Sequence, residues 1–150
     1  MSGDEPYAGH DPAAVLLLSI AGIITVLGLV TYGVVLLVRA RAERTTGAAF
    51  KATATLAWAA AIGMYTWGIL HLFFFNETDQ AQACNAAIGK RQLSGYVATF
   101  IPLHFGCRTK GGRIVEAIIP EYINPAVTAL GACAVILTGF AIRKYQEAKK

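Results

Sequence analysis

The residues with the widest chemical scope in this sequence are three cysteines, Cys84, Cys107 and Cys133, and three histidines, His10, His71 and His104. Thiols can cross-link, ligate a metal or act as nucleophiles, and neutral imidazole is the commonest protein ligand for zinc and copper. The spacing narrows that range. No C-x-x-C pair is present to poise a redox dithiol, and no two histidines share a ligand spacing such as H-x-x-x-H. Cys84 and Cys107 fall in one long stretch between apolar runs, so a disulfide closing that stretch is the predicted chemistry, stabilising it by roughly 3 kcal/mol. Cys133 lies inside an apolar run and is expected to act as a small buried residue. No metal site is predicted.

His71 stands apart because it closes the row Ala59, Gly63, Trp67, His71 near the end of an apolar run. Imidazole facing lipid is costly, so it is expected to sit at headgroup depth and meet water. The sharper alternative has His71 and Trp67, with His104 nearby, contact a partner helix, a quinone, a haem or a metal ion. No P-loop, G-x-S-x-G, dinucleotide fingerprint, H-E-x-x-H or C-x-x-C-H occurs, so no catalytic residue is assigned. Asn76-Glu77-Thr78 matches a glycosylation sequon, a short and frequent pattern.

The elements that must position these groups follow from hydropathy. The 150 residues are 55% hydrophobic and 15% charged, with mean hydropathy +0.51, whereas soluble domains carry about 25% charged residues. The apolar residues are gathered into three long runs, which predict an all-α integral membrane protein with transmembrane helices at about 12–39, 50–75 and 124–143. Asp11-Pro12 and Asn124-Pro125 each read as a cap followed by an initiating proline. The first run is too long for a secretory leader and is read as retained. No Asp, Glu, Lys or Arg lies within the uncharged runs 13–38, 52–75 and 125–142, which disfavours a proton relay or coupled transport.

Orientation follows from Lys and Arg. Arg39, Arg41, Arg44 and Lys51 flank the turn at 40–50, and Arg143, Lys144, Lys149 and Lys150 occupy the tail at 144–150. Both belong in the cytoplasm, with the tail at 1–11 outside and the chain multi-pass in a plasma membrane, its composition compatible with a bacterial one. The net charge of +4 therefore reads as a topology signal and not as a nucleic-acid surface.

The segment 76–123 is the predicted extracytoplasmic loop, where a disulfide would persist. Leu93, Tyr96, Val97, Phe100 and Ile101 follow helical spacing and predict a short amphipathic helix lying on the membrane or the bundle. The uncharged stretch 93–107 is too short to span, with a re-entrant path as the alternative. Gly111-Gly112, between Phe105–Lys110 and the β-branched run at Ile114 and Val115, suggests a small hairpin.

Helix association in lipid relies on small residues. Thr55, Ala59 and Gly63 supply one row, Thr128 with Ala132 another, and Gly131 with Gly139 a third. Three functional readings follow. The first is a non-catalytic accessory subunit of a larger membrane complex, contacting lipid, other subunits or copies of itself through its helices and its disulfide-closed loop, without a cofactor. The second is a homo-oligomeric channel lined by Thr25, Thr31, Thr66, Thr128 and Thr138. The third is an outer-face metal-, haem- or quinone-binding redox protein centred on His71.

Overall fold

The computed structural model describes residues 11–43, 46–74, 77–89, 92–116 and 119–147. In chain order the elements are α1 (Pro12–Glu43), α2 (Thr46–Phe74), α3 (Glu77–Ile88), β1 (Leu93–Thr99), β2 (His104–Thr109), β3 (Ile114–Glu116) and α4 (Ile123–Glu147). The chain is mostly helical, and two of its helices, α1 and α4, are long and apolar enough to cross a membrane. The long α2 covers the expected range but is richer in Ala, Gly and Thr than in Leu and Ile. Asp11 caps α1 as its sequence predicts, its Oδ1 accepting from the Ala13 N–H at 2.9 Å.

By their contacts the residues form two compact units, one of the described residues up to Ser19 with Trp67–Asn124, the other of Ile20–Thr66 with Pro125–Lys150. The first holds a three-stranded antiparallel sheet in the order β1-β2-β3. Here the amphipathic helix expected around residues 93–101 is replaced by a strand. Its apolar spacing is helical, but Gly95, Val97 and Thr99 are poor helix formers, and β2 supplies a full pairing partner for Leu93–Thr99. The hairpin expected at Gly111-Gly112 is present between β2 and β3. Gly112 has φ +78°, which a side chain would strain, and Thr109 ties the turn by exchanging hydrogen bonds with Arg113.

The true helix of this segment is α3, Glu77–Ile88, which the apolar periodicity does not signal. Its cause is propensity: Ala81, Ala83, Ala86 and Ala87 with Gln80 and Gln82 favour helix. Gly89, at φ +79°, ends it and donates to the Asn85 carbonyl at 2.9 Å. The core of this unit is Ile69, Leu72, Cys84, Leu103, Phe105, Cys107, Ile119 and Ile123, all at most 5% exposed.

In the second unit the helices pack on small residues. Gly22 on α1 is pressed against the Thr66 side chain, and a Cβ on Gly33 would lie 2.8 Å from Leu56 Cδ2. Gly63 faces Val26 with room for a methyl group, at 3.8 Å. As the number rises along α1 it falls along α2, so the two run antiparallel. The contacts of α2 with α4 run in the same sense: Lys51 meets Tyr145, and Trp58, seven residues on, meets Thr138, seven residues back, with Phe50 against Phe140. Small side chains at Ala52, Ala54, Ala59 and Ala61, each at most 6% exposed, let α2 serve both neighbours.

Along α4 the more buried positions are Ile123, Val127, Leu130, Ala134, Leu137 and Ala141, alternating steps of four and three. Cys133 falls off that seam and is exposed, against the expectation of burial. Asn124 also departs from its expected role. The helix begins one residue earlier, and the Asn124 amide instead clamps the Leu103 backbone, accepting from its N–H at 3.1 Å and donating to its carbonyl at 2.8 Å.

Candidate functional site

Cys84 on α3 and Cys107 on β2 are joined in a disulfide with Cα atoms 5.6 Å apart, and both are fully buried. Strand alternation explains the placement. Tyr96, Phe105 and Cys107 share one face of the sheet, with the Tyr96 and Phe105 rings 5.6 Å apart. The bridge thereby pins α3 to that face.

The opposite face carries His104, Gly106, Arg108, Ile114 and Glu116. Gly106 is paired with Glu116, and a Cβ there would lie 2.7 Å from His104 Cε1. Its missing side chain lets the His104 ring lean across, so that Nε2 sits 3.1 Å from Glu116 Oε1. His104 Nδ1 is buried and has no hydrogen-bond partner.

His71 and Trp67 touch as the row on α2 predicts, their rings 5.1 Å apart and nearly perpendicular at 78°. His71 Nδ1 lies 3.0 Å from the Trp67 carbonyl oxygen. A carbonyl can only accept, so Nδ1 is the donor in this contact. His71 is half-buried and Trp67 is 50% exposed. His104 partners Glu116 and not His71. Among the described residues no group of three or more His, Cys, Asp or Glu side chains could hold a metal ion. His10 and Asn76 lie outside the described residues.

The β1–β2 turn has a role that spacing alone did not reveal. Leu103 is fully buried over Gly68 of α2, where a Cβ would lie 2.6 Å from Leu103 Cδ2 and 3.1 Å from Ile123 Cγ2. Gly68 precedes the last residue of α2 by six positions, about 9 Å at 1.5 Å per residue. The turn therefore rests on α2 within its last two turns, where Ile69 and Leu72 are also buried, while Ile101 is 90% exposed.

The small-residue rows divide. Thr55, Ala59 and Gly63 lie on α2, with Ala59 buried and Gly63 against Val26. Thr128, Ala132 and Gly139 are exposed, Gly131 is half-buried, and a Cβ at Gly131 or Gly139 would meet nothing within 4 Å. Of the threonines proposed to line a channel, Thr25, Thr31, Thr66 and Thr138 each donate to the carbonyl four residues back in their own helix, with Thr25 and Thr31 on exposed positions.

The second unit also holds a cavity of about 360 Å³ lined by residues of α1, α2 and α4, among them Leu36, Lys51, Trp58 and Thr138. Trp58 Nε1 donates to Thr138 Oγ1 at 3.2 Å, and the Lys51 ammonium stands 4.3 Å above the centre of the Tyr145 ring. Comparison with known protein families, curated proteins and solved structures gives no match.

Proposed function

We propose that the chain is a three-pass membrane protein, N-terminus outside and C-terminus in the cytoplasm, that serves as a non-catalytic subunit of a larger membrane complex. Membrane insertion is supported by α1, which exposes Leu17, Ile24, Leu27 and Val38 at 62% or more along its length. Water would penalise that surface by roughly 25 cal/mol per Å², and lipid would not. The third crossing is α2, whose antiparallel packing on α1 and α4 gives it their alignment. The orientation rests on Arg39, Arg41, Lys51, Arg143 and Lys144, which antiparallel helices gather at one end.

The observation that carries the subunit reading is the uncovered row on α4. Ala132 and Gly139 are exposed, a Cβ at Gly131 or Gly139 would meet nothing within 4 Å, and small residues of this kind are where membrane helices meet. The disulfide-closed unit, with Ile101 90% exposed, offers a partner a second apolar contact. With the exposed native Cys133 replaced by Ser, Ala132→Cys in native membranes, treated with a bifunctional thiol cross-linker, should yield one stoichiometric adduct with a larger protein, with Ile24→Cys in the same Cys133→Ser background as the lipid-facing control. A monomer in mild detergent with no adduct would sink the reading, and a symmetric ladder of self-adducts would replace it with the channel.

A further inference from the structure

We propose that the cavity of the second unit is a binding site for an anionic phospholipid, with one acyl chain in the groove and the phosphate against Lys51. This rests on the membrane reading above and adds a ligand to it. The walls are built for a hydrocarbon chain. Leu36, Ala54, Ala141 and Ile142 supply apolar surface, and Ala54 and Ala141, each 6% exposed, leave the space by being small. Three of the polar wall groups are turned onto the protein: Thr55 donates to the Lys51 carbonyl, Trp58 to Thr138, and Thr138 to the Ala134 carbonyl, while Tyr32 and Tyr145 also line the groove. A polar ligand would find those donors engaged, whereas methylene groups need none.

Charge then selects the headgroup. Lys51 is the one charged residue lining the cavity, and its ammonium is held over the Tyr145 ring. Among the described residues no carboxylate pairs with it, since Glu147 is bound to Lys144 at 2.8 Å. Trp58 and Thr138 lie seven residues along their helices from Lys51 and Tyr145, about 10 Å at the helical rise. The groove thus runs from the Lys51–Tyr145 end to the Trp58–Thr138 end, over the outer part of one lipid leaflet's depth. Arg39, Arg41, Arg143 and Lys144 stand at the same helix ends, opposed there by Glu43 and Glu147. An apolar slot opening at a cluster of cations fits a lipid whose headgroup is anionic, as basic pockets between membrane helices do.

The test uses the full chain purified in mild detergent, exchanged against equimolar dioleoylphosphatidylglycerol and dioleoylphosphatidylcholine, with retained lipid counted by native mass spectrometry. Phosphatidylglycerol should be retained about tenfold over phosphatidylcholine. Lys51→Gln should reduce the preference to about twofold or less, Lys51→Arg should keep it, and Lys144→Gln, outside the lining, should also keep it. Ala141→Leu, which fills the groove, should lower retention of both lipids. Equal retention of the two lipids by the unaltered chain, or an unchanged preference in Lys51→Gln, overturns the proposal. So does displacement of bound phosphatidylglycerol by equimolar inorganic phosphate, which would mark a free-anion site. A chain recovered in solution without detergent would instead overturn the membrane reading itself.

Discussion

The sheet-bearing unit and the helical unit of this molecule are held by different physics. The first is fixed by directional bonds: a disulfide, a ladder of strand pairs and an amide clamped on a backbone. The second is fixed by shape, with glycine and alanine setting how closely three helices approach. Directional bonds specify a structure in any solvent, whereas shape alone suffices only where no competing hydrophobic collapse exists, as between helices in lipid. The contrast predicts that the sheet unit fails by losing single bonds and the helical unit by gaining single atoms.

The largest effect should come from the disulfide. Replacing Cys84 and Cys107 together by Ser removes a bridge spanning 23 residues, and about 3 kcal/mol of stability should be lost from this unit. Hydrogen exchange over 93–116 would accelerate, while exchange in α1 would stay unchanged. Uniform acceleration across both regions would break the comparison.

Next come the glycines, which sharpen the comparison because they differ in what surrounds them. Gly22→Leu and Gly33→Leu force side chains into Thr66 and Leu56 and should each cost about 2 kcal/mol. Gly28→Leu, with nothing within 4 Å of its Cβ, should be neutral. Gly63→Ala should be tolerated, since its methyl group would touch Val26 at ordinary contact distance. Melting temperature in detergent distinguishes the three cases, and equal losses at Gly22 and Gly28 would mean that α1 does not pack as described. A step below, Asn124→Ala strips partners from both polar groups of Leu103 and should cost about 1–2 kcal/mol.

How much of this could be read from residues alone follows the same division. Long apolar runs have one structural solution, so α1 and α4 were legible to within a few residues, and the cap at Asp11 was legible because it acts locally. The disulfide was legible because loop cysteines without redox spacing have few other uses. What was not legible depends on partners distant in sequence. Leu93–Thr99 has helical spacing and becomes a strand because 104–109 lies beside it. Asn124 looks like a cap, yet its amide finds Leu103, 21 residues away. Small-residue rows do not say which of them a helix of the same chain chooses: Gly63 faces Val26, whereas a Cβ at Gly131 or Gly139 meets nothing within 4 Å. The helix α3 was missed for the opposite reason, since its signal is alanine content and not apolar rhythm.

The smallest effect concerns a contact that belongs to neither mode of holding. Glu147 accepts a hydrogen bond from Lys144 at 2.8 Å on the exposed end of α4, and that bond, with the nearby charge, lowers its carboxyl below the usual range. A depressed carboxylate contributes stability above its ordinary pKa and loses that contribution as pH falls through the lowered one. Here both partners are solvent-exposed, 51% and 65%, so screening leaves almost nothing to lose. Lys144→Gln should therefore raise the Glu147 titration midpoint, read by carbon-13 shifts of the labelled side chain, without moving the melting temperature between pH 4 and pH 7 by a resolvable amount. A clear melting shift would show that the end of α4 is held by charge, and the helical unit could then no longer be described by shape alone.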